Sequence, residues 1–214
     1  MSRNKHPEVT VNRIIDAAYK LFSTKGYEGT SIQDILDELG DLSKGAIYHH
    51  FASKEEIFEA VSDRVYKLSE KEAMETIEDG NLTGLEKIRT LILVSITSSV
   101  QLPFIAASPD ILQNPKFLAQ HLYTSLNDVA PNILKPIIEE GIADGSIKGE
   151  NPKAMAEILI LLLNIWMDPA IINYDKDEFN DKVLFLKGLL QSMGMDIVNE
   201  DMMNKLDGFR NILS

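Results

Sequence analysis

Apolar and polar positions alternate with the period of an α-helix along almost the whole chain. From Ile14 to Phe22 the apolar residues recur three or four positions apart, and Lys25-Gly26 supplies a basic last turn and a terminating glycine. The same period predicts two short helices within about 31–51 and a long helix that begins at Ser53. Further helices are expected over about 83–100, from Pro115 to Gly141 or Gly145, and over 151–168, 178–193 and 197–213. No strand pattern interrupts them, so the predicted fold class is all-α.

Serine residues mark the starts of three of these helices. Ser31 with Asp34, and Ser53 with Glu56, have the spacing of capping boxes, and Ser43 is placed to cap the third helix. The two short helices are joined by a turn that contains Gly40, which is typical of a helix-turn-helix unit with the helix of about 8–25 as its scaffold. Pro131 and Pro136 are expected to kink or split the helix that follows Pro115.

Charge and composition narrow the class of protein. The chain has 214 residues, no cysteine and a net charge of −12, so disulfides and thiolate chemistry are excluded. Residues 1–54 hold seven basic and seven acidic residues, which places the net negative charge in the remainder. The amino terminus lacks an apolar signal region, and the apolar runs at 91–96 and 158–167 are too short to span a bilayer. A cytoplasmic protein without a membrane partner is therefore expected.

The run LSKGAIYHHFASKEEIF, residues 42–58, raises the question of whether its side chains bind a metal or touch something outside the protein. On a helical wheel Ile47 and Phe51 face inward, while Gly45 and His49 lie opposite them. The outward side also carries Lys44, Ala46 and Tyr48. Small residues allow close approach to base edges, and Tyr, His and Lys donate to phosphates, so this side suits a DNA groove. His49 and His50 point about 100° apart, which argues against a metal pair.

This region resembles the DNA-binding domain of TetR-family transcriptional regulators. The resemblance rests on RIIDAAYKLFSTKGYEGTS, TSIQDILDELG and LSKGAIYHHFASKEEIF, and a looser one on IIEEGIADGSI with NPKAMAEILILLLN. It implies a helix-turn-helix domain over 1–53 and a larger helical ligand-binding and dimerisation domain over 54–214. It also implies a homodimer that binds double-stranded operator DNA, most often as a repressor released by a small-molecule effector.

The resemblance also assigns roles to particular residues. Those expected at phosphates are Thr30, Ser31, Tyr48, His49 and Lys54, and those expected at base edges are Lys44, Gly45 and Ala46. One departure stands out: the turn holds two residues, Asp41 and Leu42, where the family usually has one. Leu42 fits the usual apolar position, so Asp41 is read as an insertion that adds negative charge near the DNA-binding side.

The C-terminal part offers weaker candidates. Four apolar residues are candidates to line a ligand pocket: Phe104, Met155, Trp166 and Met167. Dimer-interface candidates are Leu159, Leu162, Leu163, Val183, Leu186 and Leu190, for which packing inside the subunit is an equally good account. No catalytic motif is present, so neither an enzyme nor a cofactor or metal site is expected. The alternative function is a helical interaction protein of the same fold that lacks sequence-specific DNA binding.

Overall fold

The computed structural model describes residues 7–97, 115–168, 171–172 and 174–210, and every regular element within these ranges is helical. The α-helices are α1 (Pro7–Lys25), α2 (Ile32–Leu39), α3 (Lys44–His50), α4 (Lys54–Glu78), α5 (Gly84–Thr97), α6 (Pro115–Thr124), α7 (Lys135–Asp144), α8 (Pro152–Leu161), α9 (Lys176–Ser192) and α10 (Glu200–Arg210). Two π-helical segments accompany them, π1 (Ser125–Leu134) and π2 (Leu162–Trp166). The predicted all-α fold class is confirmed.

The described chain divides into two compact units, and the division falls inside α4. The first unit holds residues up to 70, and the second holds 71–97 together with the described residues from 115 onward. The predicted boundary at residue 53 lies at the start of this same helix. The first part of α4 packs with the first unit, because Ile57, Phe58, Val61 and Val65 are all buried.

The first unit is a bundle of α1, α2, α3 and the first part of α4 around one apolar core. Phe22, Tyr27 and Phe58 form its aromatic centre, with ring centroids 5.0–5.6 Å apart. At the start of α2 the capping box is present, with Ser31 accepting from the Asp34 N–H and the Asp34 carboxylate accepting from the Ser31 N–H. Gly40 ends α2 in the left-handed conformation with φ of 73°, which glycine adopts at little cost.

The start of α4 differs in one detail from the predicted box. The Ser53 hydroxyl accepts from the Glu56 N–H at 3.3 Å, as expected. The Glu56 carboxylate, however, accepts from the N–H of Ala52 at 2.7 Å, one residue before the serine. The Glu56 carboxylate thus satisfies the Ala52 N–H just before the helix.

The second unit has its own core, built mainly from α5, π1, α7, α8 and α9. Among its fully buried side chains are Ile88, Ile138, Leu159, Leu190 and Met195. The predicted effect of the prolines takes a specific form here. Pro131 lies within π1, and the wider π turn continues the helix, with the Lys135 N–H donating to the Ala130 carbonyl. Pro136 occupies the first turn of α7, where a missing N–H costs little.

The described part of the chain contains no candidate membrane-spanning helix. None of its helices combines the length and the apolar character that crossing a bilayer requires.

Candidate nucleic-acid interface

Helix α3 is short, and its orientation depends on two apolar anchors and a cap. Ile47 is completely buried and Phe51 nearly so, which fixes the inner side of the helix. The Ser43 hydroxyl accepts from the Ala46 N–H at 3.2 Å and so satisfies one of the donors at the helix start. These contacts leave the opposite side of α3 facing outward, as the helical wheel predicted.

The outward side of α3 carries the expected small and polar residues. Lys44, Gly45 and His49 are exposed, Tyr48 is 47% exposed, and Ala46 is half-buried. The Lys44 ammonium lies 5.9 Å from the centre of the Tyr48 ring. We call these five residues the α3 face. It presents one cation and two polar rings around a flat centre.

The centre of the α3 face is open because Gly45 has no side chain. A Cβ built on Gly45 would meet only the Ser43 hydroxyl oxygen, at 3.9 Å. The protein's own packing therefore does not require glycine here, although glycine in a helix costs about 0.5–1 kcal/mol relative to alanine. An external surface that approaches α3 closely would give this glycine a purpose.

Lys54 at the start of α4 is held against Tyr27. Its ammonium donates to the Tyr27 carbonyl at 2.9 Å and lies 4.0 Å from the centre of the Tyr27 ring. The side chain is half-buried as a result. An ammonium has three donors, so this arrangement orients Lys54 and leaves further N–H groups for an external anion.

Thr30 does not belong with the other expected phosphate contacts. The residue is 1% exposed, and its hydroxyl donates to the Gly26 carbonyl at 2.8 Å. The hydroxyl therefore closes the turn after α1, and we remove Thr30 from the candidate interface. Ser31 is exposed, but its hydroxyl and its N–H both donate to the Asp34 carboxylate.

The basic residues of α1 are paired with acids on or just after α2. Lys25 contacts Asp34 at 2.8 Å, and Lys20 contacts Glu38 at 2.6 Å. The pKa of Asp34 is held well below its usual range, first by the Lys25 ammonium and then by Ser31. Within the described residues 7–54, Lys44 is thus the cation that faces outward with neither an acidic partner nor a carbonyl partner.

A third pair involves the turn residue Asp41. The Arg13 guanidinium donates through both terminal nitrogens to the Asp41 carboxylate, at 2.5 and 3.1 Å. The hydrogen bonds from Arg13 lower the pKa of Asp41 below its usual 3.8. The negative charge expected at Asp41 is thus present, and Arg13 of α1 compensates it. Sequence reasoning missed this partnership, although the acids at 34, 38 and 41 mirror the bases at 25, 20 and 13.

The ligand-pocket candidates occupy different environments. Met155 is buried in the core of the second unit, where its sulfur packs on Gly149. Trp166 and Met167 are half-buried, while Phe104 lies outside the described residues. The Trp166 ring lies 4.6 Å from the Lys182 ammonium, which makes it a cation–π partner within the subunit. A separate pocket of about 280 Å³ lies between α5 and α10 and touches none of the four candidates.

The dimer-interface candidates must be corrected. Leu159, Val183, Leu186 and Leu190 are each at most 4% exposed, so they belong to the subunit core. Leu162 and Leu163 are half-buried. Residues next to the buried candidates are exposed instead, because side chains one position apart on a helix point about 100° apart. Three such apolar side chains lie on α8 and α9: Ile158, Leu184 and Phe185.

The bundle of α1–α3 with an outward small-and-polar α3 face defines a helix-turn-helix protein. Residues 14–61 match the family described as bacterial regulatory proteins, tetR family. This part of the chain is therefore a TetR-type DNA-binding domain.

Two kinds of relatives agree with this assignment. The chain is 23% identical over 182 residues to IcaR of Staphylococcus aureus (strain Newman), a negative transcriptional regulator of the biofilm operon icaADBC, covering 82% of this chain and 95% of IcaR. It shares its fold, with a TM-score of 0.66 and 20% identity, with a TetR-family regulator from Pectobacterium atrosepticum, covering 90% and 97% of the two chains. A γ-butyrolactone receptor described as ArpA-like gives a TM-score of 0.61 at 20% identity, covering 96% and 98%.

Proposed function

We propose that the protein is a homodimeric repressor that binds operator DNA through the α3 face and is released by a small-molecule effector bound in the second unit. The observation that carries the DNA-binding part is the α3 face itself. Its open centre at Gly45 and its exposed Lys44, Tyr48 and His49 match what a helix in the major groove needs. Two such helices, one from each subunit, would enter successive grooves about 34 Å apart.

The dimeric state is supported by the exposed apolar side chains of α8 and α9. Leu184 and Phe185 are 56% and 65% exposed, and large apolar side chains clustered at that exposure mark interaction surfaces. On the same side of α9, Gly188 is exposed, and a Cβ placed there would meet nothing within 4 Å. A glycine in this position allows the helix of a second copy to approach closely.

Repression and effector release rest on the relatives. IcaR is named as a negative regulator, and the γ-butyrolactone receptor is named for a small molecule that it receives. The second unit of this chain has a separate apolar core with two π-helical segments, a feature that is frequent near functional sites. The proposed operator binding implies a cytoplasmic location, and the proposal includes no enzymatic role.

A gel-shift experiment with the DNA upstream of the protein's own gene tests the proposal. The wild-type protein should retard this duplex, and the double substitution Tyr48→Ala with His49→Ala should abolish the shift. The thermal unfolding midpoint should stay nearly unchanged, because both side chains are exposed. Tyr123→Ala is a matched control, since Tyr123 is 60% exposed in the second unit.

The opposite result separates the two candidate functions. If the wild-type protein binds the upstream duplex no more tightly than a scrambled one, the alternative is supported: a helical interaction protein without sequence-specific DNA binding. If the shift occurs, a small-molecule extract of the cells that carry the gene should release the DNA. Failure of every fraction to do so would contradict the effector part alone.

A further inference from the structure

The turn between α2 and α3 holds Asp41 and Leu42 after its glycine, and Asp41 is hydrogen-bonded to α1. Gly40 ends α2, Asp41 and Leu42 follow, and Ser43 caps α3. Arg13 lies 28 residues before Asp41 and donates two hydrogen bonds to its carboxylate. A bidentate pair of this kind fixes both the distance and the orientation of its partners.

This pair differs from the other two pairs between α1 and the acids that follow it. Lys20–Glu38 and Lys25–Asp34 act on side chains of α2 itself, and α2 is already fixed by its buried Ile35 and Leu36. Asp41 lies beyond the end of α2, in the segment that sets the direction of α3. The contact from Arg13 therefore acts on the turn and not on either helix.

The negative charge of Asp41 is unfavourable for DNA binding, so its presence in this turn calls for an explanation. A carboxylate beside a DNA-binding face lowers affinity for any polyanion, and a turn residue such as asparagine or serine would avoid that cost. Arg13 of α1 offsets this charge through the ion pair. The chain thus commits one positive charge and one negative charge to a contact whose net electrostatic gain for DNA binding is small.

We propose that Arg13 and Asp41 are positioning residues that hold the turn between α2 and α3 so that α3 enters the groove in register with base edges. This inference rests on the proposed operator binding. The pair contributes to discrimination between operator and other DNA, because a displaced α3 still contacts phosphates while it loses base contacts. Positioning and charge make opposite predictions for the removal of Asp41.

The decisive variant is Asp41→Asn, which removes a negative charge and the bidentate contact together. If charge dominates, this variant binds operator and scrambled duplex more tightly by the same factor. If the pair positions α3, operator affinity falls while affinity for the scrambled duplex stays level or rises. We expect the ratio of the two affinities to fall about fivefold, the upper range for an exposed, well-oriented ion pair.

The experiment measures Kd for both duplexes by fluorescence anisotropy at one fixed salt concentration. Arg13→Gln should lower the ratio similarly, and the exchange Arg13→Asp with Asp41→Arg should restore most of it. Lys20→Gln with Glu38→Gln is the matched control, because it removes an exposed pair between α1 and α2 without touching the turn. This control should leave the ratio unchanged.

Unfolding midpoints of all variants distinguish positioning from loss of fold, and each should lie within about 3 °C of wild type, as expected for exposed substitutions. An unchanged ratio in Asp41→Asn, or an equal fall in the control pair, overturns the inference. A wild-type protein that does not discriminate operator from scrambled DNA overturns the proposed function instead, so the two failures are distinguishable.

Discussion

Gly84 of α5 lies directly against the backbone of Gly141 in α7. A Cβ built on Gly84 would be 2.3 Å from the Gly141 nitrogen and 2.5 Å from the Ile137 carbonyl oxygen. Next to this crossing the Lys87 ammonium, which is almost completely buried, donates to both oxygens of Glu140, at 2.7 and 2.8 Å. The first turn of α5 is therefore fixed to the end of α7 by backbone proximity and by an ion pair whose lysine is buried.

Gly84→Ala should destabilise the second unit by about 1–3 kcal/mol, because the added methyl meets backbone atoms that cannot move aside alone. Gly80→Ala is the matched control, since nothing lies within 4 Å of a Cβ at that position. Chemical denaturation monitored by circular dichroism measures both. Equal stability of the two variants would contradict the close crossing.

The same crossing is predicted to be sensitive to acid through Asp144. Its carboxylate accepts from the N–H groups of Gly84 and Ser146, each at 2.8 Å. The Ser146 side chain, and after it these two N–H groups, hold the pKa of Asp144 below its usual 3.8. A carboxyl with a lowered folded-state pKa adds stability above its unfolded pKa and loses it as the pH falls through the folded value. The thermal unfolding midpoint should therefore decrease as the pH drops below about 4. In Asp144→Asn this decrease should be shallower. An identical slope in both proteins would rule out this contribution.

Helices and caps were predictable because their signals are local. Ser31 with Asp34, the cap at Ser43 and the glycine at 40 all act within four residues, and the structure has each of them. The Arg13–Asp41 pair joins residues 28 positions apart, so the periodicity of the sequence does not predict it. The burial of Thr30 depends likewise on how the chain turns after α1.

The apolar sides of α9 show a second limit of sequence patterns. The run from Val183 to Leu186 is apolar at four successive positions, so periodicity does not determine which side packs inward. Packing against the core of the second unit selects Val183 and Leu186 and leaves Leu184 and Phe185 exposed. Contacts between elements, and not the period of one helix, decide this choice.

Gly45→Ala should separate stability from DNA binding. Because the Cβ site is open and alanine is the better helix former, the free protein should gain about 0.5–1 kcal/mol of stability. Operator binding should weaken, since the methyl group would separate α3 from the base edges. Denaturation and anisotropy measurements on the same preparation test both effects, and tighter operator binding would contradict the proposed approach of DNA to Gly45.

The proposed dimer should depend on the exposed side of α9. Leu184→Glu with Phe185→Glu places two charges where an apolar contact between subunits is expected, so the protein should become monomeric in analytical ultracentrifugation. Tyr123→Glu, at a similarly exposed apolar residue on α6, is the control and should remain dimeric. A dimer that survives the double substitution would place the interface elsewhere.

Lys182 and Trp166 allow a spectroscopic test of the second unit, because Trp166 is the single tryptophan of the chain. The Lys182 ammonium lies 4.6 Å from the Trp166 ring centre and 4.2 Å from that of Tyr174, and it donates to the Trp166 carbonyl. Burial lowers the pKa of Lys182 below its usual 10.5, and burial raises that of Tyr174. As the pH rises, the lysine should therefore lose its proton first and change the tryptophan emission below pH 10.5. Lys182→Met should remove this emission transition. Lys182→Arg keeps the cation and should show no transition in the same pH range. A transition that persists in Lys182→Met would exclude Lys182 as its source.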